Sequence, residues 1–314
     1  MFDPNPSIRP YGTAAIAEAA ALIAAGRLVA VPTETVYGLA ADARNAEAVA
    51  GIYAAKGRPS FNPLIVHVLD RAAAERVALF DADARALAEA FWPGPLTLVL
   101  PLRDDAAIAS LVTAGLDTVA IRVPAGRAMR ALLEATGTPL AAPSANASNG
   151  ISPTRAAHVA ASLGERVPLI IDDGACPAGV ESTILQGRTI LRPGPVTAEM
   201  LGGVFGGGER VRPLAAPGSI TAPGQLASHY APSKPLRLRA IAAEDGEYLI
   251  GFGPVTGDAT LSAHGDLVEA AARLFDALHQ ADASAKGRIA VAPVPEHGIG
   301  AAINDRLRRA AYRP

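Results

Sequence analysis

Two cations stand one residue apart in Lys56-Gly57-Arg58, where a predicted helix ends before Pro59. Glycine and proline hold the chain in a turn there, so both side chains can converge on one anion. Lys56 would act as a point charge and Arg58 as a two-pronged donor to phosphate oxygens. The alternative is that both cations complement the negative end of the helix dipole. We favour the phosphate contact.

Further polar groups follow predicted strands. Thr33-Glu34-Thr35 comes directly after a buried strand, at the sheet edge where ligands of open α/β folds bind; a turn followed by a helix N-cap is an equal alternative. Residues 142–153 are small and polar, and taken alone a solvated loop explains them better than a ligand contact does. Glu181-Ser182-Thr183 also places polar groups near a strand end.

Two arginines, Arg122 and Arg192, lie among apolar neighbours. Burying an arginine is costly without an anionic partner, and we favour a ligand over a structural ion pair as that partner. With the segments above, they describe a pocket rich in cations and hydroxyls and without an obvious nucleophile. Such a pocket suits nucleotide binding and phosphoryl transfer by charge and position, with no covalent enzyme intermediate.

Several other chemistries are excluded by missing motifs. The sequence has no Gly-x-x-x-x-Gly-Lys-Ser/Thr loop, no His-Glu-x-x-His and no Gly-x-Ser-x-Gly. Its one cysteine, Cys176, excludes an internal disulfide and multi-cysteine metal sites, and is interpreted as a buried small apolar residue. The 6 histidines show no ligand spacing. We therefore expect no metal site and no protein-bound structural metal.

Composition limits where the protein works and what it binds. Of 314 residues, 50% are hydrophobic, yet no run reaches the roughly 18 apolar residues of a membrane span. The N-terminus resembles no secretory signal, so a soluble, cytoplasmic protein is expected. A net charge of -2 and 4% aromatic residues argue against strong nucleic-acid binding. Four C-terminal arginines, Arg306, Arg308, Arg309 and Arg313, are interpreted as a solvated helix face.

The pocket segments need a sheet to position them. Up to about residue 200, short β-branched runs alternate with alanine-rich helical stretches, which is typical of an α/β domain. Helices are predicted at 13–25, 45–55, 127–135 and 154–163, and within 71–91. Strands are predicted at 28–31, 64–68, 96–100, 119–123 and 169–171. Ser152 followed by Pro153 predicts the N-terminus of the helix at 154–163.

The chain divides into two domains joined by a linker. Residues 1–201 form the first domain, and residues 202–235 are a linker because they are crowded with glycine and proline. Residues 236–314 resume the α/β alternation as a smaller domain, with strands at 249–252 and 289–291. A helix from Asp266 to His279 is supported by Glu269, three residues after Asp266, and a last helix ends near Tyr312.

The pocket segments occur as an ordered set. Thr33 to Leu39, Lys56 to Pro59, Pro93-Gly94-Pro95-Leu96-Thr97, Pro143 to Asn146, Ser182 to Ile184 and Leu191 to Gly194 follow one another as in the YrdC-type family. The whole chain resembles the longer, two-domain form of that family, whose linker carries His-Tyr-Ala-Pro, here His229 to Pro232. The resemblance implies a twisted mixed sheet with helices, plus a smaller Rossmann-like α/β domain.

The resemblance also implies a reaction and its residues. L-threonine, bicarbonate and ATP, with Mg²⁺, would give L-threonylcarbamoyl-AMP and pyrophosphate, and a tRNA threonylcarbamoyl-transfer machinery would use the product. The catalytic positions are Lys56, Arg58, Ser144 and Asn146. The L-threonine positions are Thr35, His67, Arg122, Ala142 and Ser182. The ATP positions are Arg58, Asn62, Thr118, Ser144, Ser152, Arg192 and Tyr230.

Two other functions use the same domain. One is carbamoyl transfer in hydrogenase maturation, which a single cysteine disfavours because those relatives carry zinc-binding cysteine pairs. The other is a double-stranded RNA binding module, which the balanced charge disfavours. For the linker we expect a lid: His229 and Tyr230 are of little use to a passive tether, and residues 206–234 would close over the pocket.

Overall fold

The computed structural model describes residues 7–205, 211–213 and 229–312. Most of the predicted linker, residues 206–210 and 214–228, lies outside the described residues. Two sheets organise the chain, one in each predicted domain. The strands are β1 (Ser7–Pro10), β2 (Val29–Pro32), β3 (Tyr37–Asp42), β4 (Ile65–His67), β5 (Leu96–Pro101), β6 (Thr118–Arg122), β7 (Leu140–Ala141), β8 (Leu169–Asp172), β9 (Thr183–Gln186), β10 (Thr189–Arg192), β11 (Arg212–Pro213), β12 (Leu236–Arg237), β13 (Glu247–Gly251), β14 (Ala259–Thr260) and β15 (Arg288–Val291).

Helices cover both sheets. They are α1 (Thr13–Ala24), α2 (Ala46–Lys56), α3 (Arg71–Glu75), α4 (Ala82–Phe91), α5 (Ser110–Thr113), α6 (Arg127–Thr136), α7 (Ala156–Leu163), α8 (Ala198–Val204), α9 (Leu267–Ala283) and α10 (Gly300–Ala311), with a 3-10 turn at Gly164–Arg166. The helices expected within 71–91 are α3 and α4. Each starts at an aspartate N-cap, Asp70 and Asp81, because a carboxylate satisfies free N–H groups of the first turn.

The first domain is built on an 11-stranded mixed sheet with the order β1-β8-β2-β3-β7-β4-β6-β5-β9-β10-β11. In its centre β4 pairs parallel with β6 and antiparallel with β7. The central strands are buried on both faces, so their residues are almost continuously apolar. At the edge, β11 pairs with β10; its residues therefore extend the first sheet, although they fall in the predicted linker.

The second domain has a parallel four-stranded sheet, β12-β15-β13-β14, packed against α9 and α10. The predicted start of α9 is confirmed, because the Asp266 side chain accepts hydrogen bonds from the N–H groups of Val268 and Glu269. The mixed α/β fold with a second, smaller domain is thus as predicted.

The start of α7 was predicted wrongly. Ser152 and Pro153 favour a helix beginning at Thr154, but α7 begins at Ala156, with Arg155 as its N-cap. The Ser152 hydroxyl instead donates to the Glu181 carboxylate. A partner 29 positions away in the sequence thus takes the hydroxyl that local pattern assigned to a helix cap.

Candidate active site

One edge of the first sheet gathers the residues predicted to hold threonine. His67 ends β4 and Arg122 ends β6, and the two are direct partners in the parallel register. Thr35 lies in the turn between β2 and β3, and its hydroxyl accepts a 3.0 Å hydrogen bond from Arg122 Nη1. Strand ends and one turn therefore bring three predicted threonine-binding residues together.

Arg122 is buried, and an acid balances its charge. Its Nη2 donates to Glu34 Oε1 at 2.6 Å and its Nε to the Gly94 carbonyl at 3.1 Å. Burial alone would raise the pKa of Glu34, but the charge and hydrogen bonds of Arg122 lower it below its usual value. We expected a ligand rather than an ion pair to compensate Arg122; the structure shows an ion pair. Glu34 in turn accepts from the Gly126 N–H, which fixes the pair in place.

His67 is a neutral group on the pocket wall. Burial, reinforced by the positive charge of Arg122, lowers the pKa of His67 to about 3. Its Nδ1 is buried and has no hydrogen-bond partner among the described residues. A neutral imidazole with one free ring nitrogen can therefore donate to or accept from a polar ligand at this position.

The turn after α2 places Lys56 and Arg58. Gly57 has φ +60°, a conformation that glycine adopts without strain, and it separates Lys56 at the helix end from Arg58. Lys56 Nζ donates to the carbonyls of Ser144, at 2.6 Å, and Asn146. Burial and the charges of Arg58 and Arg166 lower the pKa of Lys56, so a bound anion nearby would offset this cationic repulsion.

Arg58 is fixed by backbone oxygens. Its Nε donates to the Asn62 carbonyl at 3.1 Å and its Nη2 to the Pro63 carbonyl at 2.9 Å. Burial lowers the pKa of Arg58 to about 10, so the guanidinium stays charged near neutral pH. The Asn62 side-chain oxygen is buried without a partner in the described part of the chain, which leaves it available to a ligand.

Arg192 and Ser182 lie together on the cavity wall, where Arg192 supplies a second cation beside Arg58. Arg192 ends β10, and its Nε and Nη2 donate to the Ser182 carbonyl at 3.0 and 2.9 Å. The Ser182 hydroxyl accepts from Arg192 Nη2 at 3.1 Å and shares a 2.8 Å hydrogen bond with Thr97. Ser182, predicted to bind threonine, and Arg192, predicted to bind ATP, are thus in direct contact.

These residues enclose a small cavity of about 40 Å³, whereas small-molecule sites commonly measure about 300 to 1,000 Å³. His229 and Tyr230 form part of its wall, and a nucleotide needs more space than this cavity has. The residues on the wall are Thr33, Val36, Gly38, Arg58, Ile65, His67, Ala142, Pro143, Ser144, Glu181, Ser182, Arg192, His229 and Tyr230.

Seven predicted residues lie outside that wall: Thr35, Lys56, Asn62, Thr118, Arg122, Asn146 and Ser152. Lys56 and Asn146 sit behind Ser144, and the Asn146 amide donates to the carbonyls of Ala147 and Gly150. Ser152 is joined to the wall through Glu181. Thr118 begins β6 and pairs with Pro101, about 13 Å along the strand from Arg122 at ~3.3 Å per residue.

The acids of the described residues do not cluster. No group of three or more histidine, cysteine, aspartate and glutamate side chains in residues 7–205, 211–213 and 229–312 is placed to hold a metal ion. Within the same ranges, no helix has the length and apolar character needed to cross a bilayer. Cys176 is buried, as predicted, and burial raises the pKa of its thiol.

Comparison with known proteins places the chain. One family profile, described as "Telomere recombination" for Sua5, YciO and YrdC, matches residues 21–194, and another, described as the C-terminal domain of threonylcarbamoyl-AMP synthase, matches residues 196–312. The threonylcarbamoyl-AMP synthase of Bacillus subtilis (strain 168) is 40% identical over 94% of this chain and 92% of its own. The chain belongs to the threonylcarbamoyl-AMP synthase family.

Solved structures of the family agree. The crystal structure of P. abyssi Sua5 complexed with L-threonine has a TM-score of 0.88 at 36% identity, covering 97% of this chain and 96% of that one. A variant of that protein, with a histidine and a tyrosine replaced by alanine, also has a TM-score of 0.88, at 35% identity over 98% of this chain and 96% of its own. The predicted family, two-domain form and nucleotidyltransferase class are confirmed.

Sequence reasoning missed three charged residues at or next to the cavity. Glu34 and Glu181 were noted only as parts of polar segments, and Arg306 was assigned to a solvated helix face. That assignment is wrong: Arg306 is 0% exposed. Its helix buries Ala302, Ile303, Leu307 and Ala310, so the spacing of apolar residues around Arg306 already placed it on the inward face.

Proposed function

We propose that this chain makes L-threonylcarbamoyl-AMP and pyrophosphate from L-threonine, bicarbonate and ATP, with Mg²⁺. One observation carries the proposal: residues assigned to the amino acid and residues assigned to the nucleotide line the same cavity, and Ser182 and Arg192 contact each other within it. The amine of threonine and the α-phosphate of ATP can therefore be held side by side.

Threonine is proposed to bind at the strand ends. The Arg122 guanidinium, hydrogen-bonded to the Thr35 hydroxyl, suits the carboxylate of threonine. The neutral His67 imidazole suits its hydroxyl or its amine. Val36 and Ile65 on the cavity wall give an apolar surface for the threonine methyl group. The Ala142 backbone and the Ser182 hydroxyl complete this side.

The chemistry follows from the cations on the other side. The threonine amine and bicarbonate condense to a carbamate with loss of water. A carbamate oxygen then forms a bond to the α-phosphorus as the bond to the β-phosphate oxygen breaks, and pyrophosphate leaves. Arg58 and Arg192, both on the cavity wall, are proposed to stabilise the charge that develops on the phosphates. Lys56 holds the carbonyls of Ser144 and Asn146, which keeps the Ser144 hydroxyl at the cavity. Asn62, Ser152 and Tyr230 are assigned to the nucleotide, and Thr118 remains a predicted ATP position.

Mg²⁺ is proposed to enter with ATP. The one carboxylate on the cavity wall formed by the described residues is Glu181, and both of its oxygens are engaged, by Ser152 and by Arg306. With no free carboxylate among the described wall residues, Mg²⁺ would be bound mainly by phosphate oxygens and water rather than by several protein ligands. The hydroxyls of Ser144 and Ser182 are among the nearby side-chain oxygens. When bound, the ion would neutralise phosphate charge.

The product is proposed to leave for a tRNA threonylcarbamoyl-transfer machinery in the cytoplasm. A net charge of -2 suits a protein that handles a small adenylate rather than tRNA itself. We therefore expect no strong direct tRNA binding and no membrane association.

The test is pyrophosphate release with single omissions. Release should require L-threonine, bicarbonate and Mg²⁺ together with ATP, and serine should be a poorer substrate by roughly 1 to 3 kcal/mol for the missing methyl. Equal turnover without bicarbonate would contradict the proposal. Release that ignores threonine but follows carbamoyl phosphate would favour the carbamoyl-transfer alternative.

A further inference from the structure

Arg306, in α10 of the second domain, reaches the first domain's pocket. Its Nε donates to Glu181 Oε2 at 2.8 Å, and its guanidinium carbon lies 5.3 Å from the centre of the Tyr230 ring. Asp305 accepts from its Nη1 at 2.8 Å. One buried side chain of the second domain therefore contacts both a wall residue of the first domain and a wall residue from the linker.

Glu181 links Arg306 to Ser152, which is assigned to the nucleotide. Its other oxygen accepts from the Ser152 hydroxyl, and the next residue, Ser182, is held by Arg192. Burial alone would raise the pKa of Glu181, but Arg306 first, and then Arg192, lower it, so the carboxylate is charged. The Arg306 guanidinium thus fixes one oxygen of Glu181 while the Ser152 hydroxyl occupies the other.

Contacts between α9 and the first domain also hold the backbone of Ser152. His279, in α9, lies 3.1 Å by its Nε2 from the Ser152 carbonyl. Gly179 has φ +68°, and a Cβ there would lie 2.3 Å from the Ala271 carbonyl of α9, so glycine is required for this close packing. Ser152 is therefore held by the second domain twice, at its carbonyl by His279 and at its hydroxyl through Glu181.

Arg306 neutralises the negative charge of Glu181. Glu181 lines the cavity beside Arg58 and Arg192, where the phosphates are proposed to bind. A carboxylate there with no cation paired to it would repel a bound phosphate, because like charges in a poorly solvated cavity are weakly screened. With Arg306 paired to it, that part of the wall is neutral.

We propose that Arg306 is a positioning residue for the nucleotide: it neutralises Glu181, orients Ser152 through it, and supports the ring of Tyr230, so that the second domain sets nucleotide affinity. The inference deepens the proposed function, since it assumes that ATP binds in this cavity. It gives the second domain a role that does not depend on contact with threonine.

Calorimetric titration of the full chain with a non-hydrolysable ATP analogue and, separately, with L-threonine tests the proposal. Arg306→Ala should weaken analogue binding by at least about tenfold, the order of one lost charge-assisted contact, and change threonine binding by less than about twofold. Arg308→Ala is the matched control, because Arg308 lies on the exposed face of the same helix, 3.2 Å from Glu296. It should leave both affinities unchanged.

A second variant separates positioning from general damage to the fold. Arg306→Met combined with Glu181→Gln removes both charges, so it should recover part of the analogue affinity lost in Arg306→Ala; a purely structural role for Arg306 predicts no recovery. Wild-type analogue affinity in Arg306→Ala, or a double variant no better than the single one, would overturn the proposal. Both titrations work without turnover, so failure of the proposed reaction in the pyrophosphate assay is a distinguishable result.

Discussion

Two buried arginine–glutamate pairs flank the cavity, and they are built differently. Arg122 and Glu34 pair at 2.6 Å, and both belong to the first domain. Arg306 and Glu181 pair at 2.8 Å across the two domains. In the proposed assignment, the threonine side of the site is complete within one domain, whereas the nucleotide side is completed by the second domain and by Tyr230. This difference suggests that the two substrates depend on different parts of the chain.

Breaking the first pair should have the largest effect. Arg122→Ala leaves Glu34 mostly buried without a cation, and removing one partner of a buried pair costs about 3 to 5 kcal/mol of unfolding free energy. Urea denaturation followed by circular dichroism measures the loss. Adding Glu34→Gln should recover part of it, because the unpaired charge is then gone; no recovery would show that Arg122 stabilises the fold by packing alone.

Lys56 tests the nucleotide side within the first domain. Lys56→Ala removes the donor to the Ser144 and Asn146 carbonyls, and Arg58→Ala removes a cation from the wall. Each should lower the rate of pyrophosphate release by at least about tenfold. Lys234→Ala is a suitable control, because Lys234, at the end of the linker, likewise donates by its Nζ to two carbonyls, those of Ala281 and Ser284 in the second domain. Near wild-type rates in both site variants, with folding intact, would mean that the phosphates bind elsewhere.

The smallest effect concerns the stacked histidines of the domain interface. His158 of α7 and His279 of α9 have ring centres 3.8 Å apart, beside Asp276 and Arg155. Burial, then His279, lowers the pKa of His158 from its usual 6.5 to about 4. Below pH 6.5 the unfolded chain therefore takes up a proton that the folded chain does not, and stability falls with pH until about 4.

Between pH 7 and pH 6 this one histidine should cost about 0.7 kcal/mol of unfolding free energy. Denaturation of the wild type and of His158→Gln at several pH values measures the difference in slope. The two curves should run parallel above about pH 7.5 and diverge below pH 6.5. Identical slopes throughout would show that the interface pair does not titrate in this way.

Much of the structure around the Arg122–Glu34 pair could be predicted from the sequence, and much of the structure around the Arg306–Glu181 pair could not. The end of α2 near Lys56 and the strands that carry His67 and Arg122 follow from local periodicity and turn residues. The Ser152 hydroxyl was assigned to a helix cap, whereas its partner Glu181 is 29 residues away. Arg306 was assigned to solvent although the apolar spacing of α10 favours an inward position, and its partner Glu181 is 125 residues away. Local patterns carry no information on such long-range partners.

The most direct test of this division is a pair of matched substitutions titrated with both ligands. Arg122→Lys and Arg306→Lys each keep a positive charge but lose the two-pronged guanidinium. The account predicts that Arg122→Lys weakens L-threonine binding by about tenfold and leaves a non-hydrolysable ATP analogue within about twofold of wild type, and that Arg306→Lys does the reverse. Equal loss of both ligands in both variants would contradict it.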